Sequence, residues 1–229
     1  MFTSVIIPAA GAGERMGSAV SKQFLSLQGK PIIIHTLERF QVCGGVGEII
    51  VAVQSSSRQQ IEFLIHEFHL SKATKIVEGG RRRQDSVSNA LKHIHPDAEI
   101  VIVHDAVRPF IQQKMILDSI EKAKAYSAAV VAVRVKDTVK VGNVDGRFER
   151  TLDRSALWLA QTPQTFARQV LLDAYEKAGR ENTEATDDAS LVEALNIFPA
   201  IVEGSFDNIK ITTPDDLDLA NVVAGRFRD

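Results

Sequence analysis

Phe2-Thr3-Ser4-Val5-Ile6-Ile7-Pro8-Ala9-Ala10 runs straight into Gly11-Ala12-Gly13-Glu14-Arg15-Met16-Gly17, and this stretch decides the fold. A short apolar run that ends in glycines reads as a strand buried on both faces, which is how strands of parallel sheets look. The small residues after it let the backbone approach a ligand closely, and their amides can cradle phosphate. Neither common phosphate motif fits. Met16 stands where G-x-G-x-x-G needs its third glycine, and the second strand ends in Gln54-Ser55 instead of an acid. No glycine precedes a Lys-Ser/Thr pair at P-loop spacing; Gly29-Lys30 is followed by Pro31. This is a nucleotide-type loop outside both classes. It carries Arg15, and Lys22 follows in the same connection, so two cations are available to a triphosphate.

Downstream, helical and strand-like periods alternate. Helices are expected over 31–42 (Pro31 in the first turn), 58–68, 85–94 and 114–126, and strands over 48–53, 74–77, 99–104 and 128–135. That order predicts an α/β fold, a doubly wound and mainly parallel sheet. The rhythm breaks at 136–160. Thr138–Val141 alternates, 147–152 looks extended, and Asn143-Val144-Asp145-Gly146 lies between them as a turn. A hairpin is expected there, either an ordinary surface feature or an arm that grips a second subunit. Helices near 167–178 and 187–195, a strand near 198–203 and a helix from Pro214 complete the chain. The expected organisation is one domain over 1–229, with 136–160 as an arm.

Composition excludes several classes. The 27 basic and 29 acidic side chains nearly cancel, which argues against a nucleic-acid binder. No stretch approaches the roughly 18 consecutive apolar residues of a membrane span. No basic residue precedes the first apolar run, so a signal peptide is not expected. Cys43 is the single cysteine and can form neither an internal disulfide nor a Cys-based zinc site. A cytoplasmic location is expected. The six histidines form no ligand pattern and read as structural or surface residues. Trp158 and the phenylalanines read as core.

Four further segments carry candidate chemistry. Gly79-Gly80-Arg81-Arg82-Arg83-Gln84-Asp85-Ser86 enters a helix and reads equally as a solvated basic patch or as a loop that recognises base or ribose. His104-Asp105-Ala106-Val107-Arg108 follows a strand at the edge where open α/β sheets bind ligands. Asp105 there can hold Mg²⁺ on phosphates or cap a turn, and Arg108 suits a phosphate monoester. Thr186 or Asp187 caps a helix, and capping alone explains that segment. Asn208–Ile211 reads as a short strand before Pro214, and Lys210 on it has no capping role.

In order, PAAGAGERMG, SKQFLSLQGKPIIIHTL, GGRRRQDSV, HDAVRPF, LDRSALWLAQTPQTF, TEATDDASLVE and NIKITTPDDLDLA span almost the whole chain. Together they resemble the 2-C-methyl-D-erythritol 4-phosphate cytidylyltransferases of the non-mevalonate isoprenoid pathway. The resemblance implies a nucleotidyltransferase fold and transfer of CMP from CTP to a small polyol phosphate. It further implies release of pyrophosphate, a Mg²⁺ requirement and a homodimer joined by β-arms, with no nucleic-acid or membrane partner. By resemblance, Arg15 and Lys22 stabilise the pentacoordinate transition state. Pro8, Ala9, Ala10, Gly11 and Gly13 form the triphosphate loop. Gly80, Arg81, Ser86 and Ala106 surround cytosine and ribose. Asp105 is the metal and substrate-side carboxylate. Arg108, Thr162, Thr186 and Lys210 line the acceptor pocket, while Thr138 and Arg154 reach from the arm into the neighbouring subunit. Some family members have a carboxylate at position 81, which implies base contact through the backbone there. Lys210 stands where the wider superfamily often has a metal-binding Asp. Ribitol-5-phosphate cytidylyltransferase resembles the chain too, but its first loop more often reads A-G-G than the P-A-A-G found here.

Overall fold

A computed structural model describes residues 2–11 and 21–227. Arg15 and Gly13 lie outside the described residues. Along the chain the elements are β1 (Phe2–Pro8), the short ribbon β2 (Ser26–Leu27) and β3 (Lys30–Pro31), α1 (Ile32–Gln41), β4 (Glu48–Val53), α2 (Arg58–Glu67), β5 (Ala73–Glu78), α3 (Arg83–Leu91) and β6 (Ala98–Val103). There follow α4 (Gln113–Tyr126), β7 (Ala128–Arg134), β8 (Lys140–Gly142), β9 (Phe148–Thr151), β10 (Trp158–Ala167), α5 (Arg168–Glu181), α6 (Asp188–Glu193), β11 (Ala200–Glu203) and α7 (Pro214–Ala224). Among the described residues, no helix is long and apolar enough to cross a membrane.

The main sheet has seven strands in the order β11-β7-β10-β6-β1-β4-β5. Its ladders are parallel except where β10 pairs antiparallel with both β6 and β7. The chain builds outward from β1 through β4 to β5, then crosses back to β6 on the other side of β1. That reversal makes a switch point at the carboxyl end of β1, where open sheets of this kind open a crevice.

The period-2 geometry of β1 explains why its apolar run is continuous. Val5 and Ile7 pack on one face with Leu37 and Phe40 of α1, Ile61 of α2 and Ile116 of α4. Ile6 packs on the other face with Val87 of α3, Leu171 of α5 and Val192 of α6. Both faces are covered, so a polar side chain on the strand is costly without a partner. Ser4 donates to the buried Glu48 carboxylate (2.6 Å), whereas the buried Thr3 hydroxyl has no partner among the described residues. A smaller cluster seats α7, through Ala220 and Val223, against Leu27, Phe110 and Ile211.

The expected elements form, with three corrections. Pro31 precedes α1 and pairs with Ser26 in the ribbon; the helix begins at Ile32. Asn208–Ile211 is not a strand, because no neighbouring strand offers it a ladder. It is an extended strap held by Ile211 N–H to Val107 O (3.0 Å) and by the Asn208 amide, which donates to Thr162 O (3.0 Å). Residues 158–167 form a ten-residue strand inside the sheet that the sequence did not announce. β10 lacks an apolar pattern because Gln161, Thr162, Gln164 and Thr165 are buried and hydrogen-bonded instead. Its Pro163, normally a mark against a central strand, sits where the register shifts between Ala160 and Gln164. Trp158 is half-buried, not core, with Arg134 stacked 4.4 Å from its ring centroid.

β8 and β9 pair as the expected antiparallel hairpin over Asn143–Gly146. Asn143 Oδ1 accepts from the N–H groups of Asp145 and Arg147, which fixes the turn. The hairpin exposes Val144 fully and Phe148 to 76%, and Leu159 beyond it is half-exposed.

Candidate active site

Two adjoining cavities open at the carboxyl ends of β1 and β6. The first is lined by Pro8, Ala9, Ala10, Gly11, Lys22, Gln23, Ala106 and Val107. The second is lined by Arg108, Gln161, Thr162, Gln164, Thr186 and Asp187. Arg83, Asp105 and Lys210 line both. The wall between the cavities is therefore a cluster of charges.

The first cavity owes its shape to small residues. Ala9 N–H donates to Ala52 O (2.7 Å), extending β1 toward the loop. Gln23, itself buried, donates to Ala9 O (2.7 Å), and Gln54 donates to Ala10 O (2.8 Å). Gly79 comes so close that a Cβ there would lie 2.2 Å from Ala10 Cβ. The neighbouring Gly80 N–H donates to Ser86 Oγ (3.0 Å), whose hydroxyl donates to Arg82 O (3.1 Å). Gly80 and Ser86 thus stand one layer behind Ala10, outside the cavity lining, and Arg81 is exposed beside them.

Asp105 is the centre of the wall. It is buried, and its Oδ1 accepts from Arg83 Nε (3.1 Å). Its Oδ2 faces Lys210 Nζ (2.9 Å) and, at longer range, Arg108 Nε (3.4 Å). Burial alone would raise its pKa. The fields of Arg83, Lys210 and Arg108 outweigh that and hold the carboxyl well below the usual range, so it is ionised at neutral pH. Arg83 reaches on to Asp188 (2.8 Å). Arg108 is anchored through Nη1 to Asn208 O (2.7 Å). Three cations thus surround two carboxylates, leaving a local positive excess that suits an anion.

The second cavity rests on buried polar contacts. Thr162 Oγ1 accepts from Asp105 N–H (3.1 Å) and lies 3.1 Å from His104 Nδ1. His104 Nε2 lies 3.1 Å from Arg108 O. Burial pushes the His104 imidazole down to about 4, so the ring is neutral at physiological pH and acts as a strut, in keeping with its structural reading. Asp187 caps α6 by accepting from Ser190 N–H (3.0 Å), and Thr186 is exposed just before it.

Of the residues singled out in the sequence, Pro8, Ala9, Ala10, Gly11, Lys22, Asp105, Ala106, Arg108, Thr162, Thr186 and Lys210 line these cavities. Thr138 and Arg154 do not; both are exposed on the arm, where Arg154 donates to Lys136 O (2.6 Å). Arg83 and Asp188 were missed. Of three consecutive arginines, Arg81 is exposed and Arg82 pairs with Asp85 and Glu184 at the surface. Arg83 turns inward as the first residue of α3. Composition does not distinguish them.

A family model for 2-C-methyl-D-erythritol 4-phosphate cytidylyltransferase matches residues 3–226. The enzyme of that name from Syntrophus aciditrophicus is 47% identical over 216 residues, 94% of this chain and 92% of that protein. The one from Alkaliphilus oremlandii is 43% identical over 231 residues, 99% of this chain and 97% of its own. A crystal structure of 4-diphosphocytidyl-2C-methyl-D-erythritol synthase from Anaerococcus prevotii superposes with a TM-score of 0.87 at 30% identity, covering 98% of this chain and 96% of that one. The Thermus thermophilus cytidylyltransferase gives 0.79 at 34% identity, covering 98% and 100%. In sequence and in fold, over nearly its whole length, this chain belongs to the 2-C-methyl-D-erythritol 4-phosphate cytidylyltransferase family.

Proposed function

We propose that this chain transfers CMP from CTP to 2-C-methyl-D-erythritol 4-phosphate, giving 4-diphosphocytidyl-2-C-methyl-D-erythritol and pyrophosphate in the non-mevalonate isoprenoid pathway. The observation that carries this reading, beside family membership, is the Asp105–Arg83–Lys210 wall shared by two cavities. CTP takes the cavity edged by Pro8–Gly11, with Gly80, Arg81, Ser86 and Ala106 toward its base and ribose. The acceptor phosphate takes the cavity edged by Arg108, Thr162 and Thr186. The full-length match to methylerythritol phosphate enzymes disfavours ribitol 5-phosphate as acceptor.

An oxygen of the acceptor phosphate attacks the α-phosphorus of CTP. The new P–O bond forms as the bond to the β-phosphate breaks, and pyrophosphate leaves. The attacking oxygen is already anionic, so no strong general base is needed. The difficulty is bringing anions together. Lys22, Lys210 and Arg15 meet it by positioning and by neutralising charge as it concentrates on the phosphorus.

Mg²⁺ fits this site with one protein ligand. Among the described residues, no group of three or more His, Cys, Asp or Glu side chains could hold a metal. Mg²⁺ is commonly held by one or two carboxylates plus substrate phosphates and water. Asp105 would supply such a carboxylate through Oδ2 once a phosphate draws Lys210 and Arg108 away from it. When bound, the ion would draw charge from the triphosphate and orient it.

The working unit is a cytoplasmic homodimer. The exposed Val144 and Phe148 of the hairpin support an arm that packs on a second copy. Thr138 and Arg154 then act in the partner's site. Phosphorus NMR of the reaction tests the central step. A new diphosphate signal that depends on both substrates and on Mg²⁺ is expected; its absence would overturn the reading.

A further inference from the structure

We infer that Arg83 is a positioning residue for this transfer: gripped by Asp188 and braced on Asp105, it fixes the carboxylate that separates the two cavities. The inference rests on the proposed reaction. Arg83 is one of three residues that line both cavities, and the other two, Asp105 and Lys210, touch each other. Its guanidinium spans two carboxylates. Nε meets Asp105 Oδ1 at 3.1 Å, and Nη2 meets Asp188 Oδ2 at 2.8 Å. Asp188 is itself held: its Oδ1 accepts from the buried Tyr175 hydroxyl (2.5 Å), and its N–H donates to Gln164 Oε1 (3.0 Å).

The consequence is a division of the Asp105 oxygens. Arg83 occupies Oδ1, which leaves Oδ2 to Lys210 and Arg108. When a substrate phosphate draws Lys210 and Arg108 toward itself, Arg83 remains to hold Asp105 in place. A planar fork with several donors can serve two carboxylates at fixed angles, whereas a lysine ammonium cannot reproduce that geometry. Asp188, in the first turn of α6 beside the acceptor cavity, therefore governs the orientation of a group shared with the nucleotide cavity.

The test compares wild type, Arg83→Lys, Arg83→Ala, Asp188→Asn and the Arg83→Lys/Asp188→Asn double variant by steady-state pyrophosphate release, with thermal midpoints measured alongside. Arg83→Lys should lose about thirtyfold or more in kcat while the KM for CTP stays within about threefold. The double variant should be no worse than Arg83→Lys, because both changes break one chain of contacts. Free guanidinium ion should restore kcat of Arg83→Ala at least about tenfold, and ammonium ion should not; a merely structural arginine would give no such rescue. Arg83→Lys within about threefold of wild-type kcat would overturn the inference, as would losses that multiply in the double variant or an Arg83→Ala deaf to guanidinium. A wild-type chain inactive with this acceptor would instead defeat the functional reading itself.

Discussion

The ammonium of Lys210 stands 2.9 Å from Oδ2 of Asp105, tying the strap before α7 to the loop after β6. The pair sits where the two cavities meet, so Lys210 can trade its carboxylate for a phosphate without moving far. Lys210→Ala should lower kcat by about 10²–10³, the range for loss of one preorganised charge contact. The same holds for Lys22→Ala. Steady-state kinetics with both substrates check this; a kcat within about threefold of wild type would remove either lysine from its role. Because Lys210 is partly exposed, thermal midpoints should change little.

Gly79→Ala tests the shape of the first cavity. The added methyl group would fall 2.2 Å from Ala10 Cβ, and both backbones are pinned by hydrogen bonds, Gly79 N–H to Val53 O at 2.7 Å and Ala10 O to Gln54. The loop must shift outward, into the space proposed for CTP. The KM for CTP should rise about tenfold or more, with a smaller effect on the acceptor KM. An unchanged KM for CTP would mean that the nucleotide does not lean on this loop.

Arg83 and β10 mark what was legible in the sequence and what was not. The first loop, Asp105, Arg108 and Lys210 stood out because each sits in a distinctive run of residues at an element's end. β10 was hidden because its burial is polar, and the partners are distant in sequence: Gln161 bonds Ser205 O and the Asn208 amide, Thr162 accepts from Asp105 N–H, and Gln164 accepts from Asp188 N–H and donates to Asp187. Arg83 was hidden because its orientation depends on how α3 is rotated against the sheet, a tertiary property. Asp188 was masked by Asp187, whose capping role is local and therefore readable.

Glu48 gives a stability prediction far from the site. Its buried carboxylate accepts from Ser4 Oγ (2.6 Å), Lys75 Nζ (2.9 Å) and His95 N–H (2.6 Å). Burial raises its pKa, but these contacts outweigh burial and hold it below the ordinary 4.5. The folded state thus binds the proton less readily than the unfolded chain. The stabilisation is present above pH 4.5 and is lost as pH falls through the lowered folded value. Glu48→Gln should cost about 1–2 kcal/mol at neutral pH. In denaturant titrations the gap to wild type should narrow as the pH drops below that window; a gap that stays constant into strong acid would contradict the assignment.

The arm makes a prediction about partnership. Arg154→Ala should abolish most activity without unfolding the chain, since its side chain is exposed. Mixing it with Lys22→Ala should regenerate some complete sites if each site draws Arg154 from one copy and Lys22 from the other. Verified heterodimers with no recovered activity would show that the arm does not work in trans.

The most direct measurement is pyrophosphate release from CTP and Mg²⁺ with 2-C-methyl-D-erythritol 4-phosphate and ribitol 5-phosphate compared side by side. Rapid release with the methylerythritol phosphate and little with the ribitol phosphate is the predicted result. Preference for ribitol 5-phosphate, or release with neither acceptor, would contradict the account.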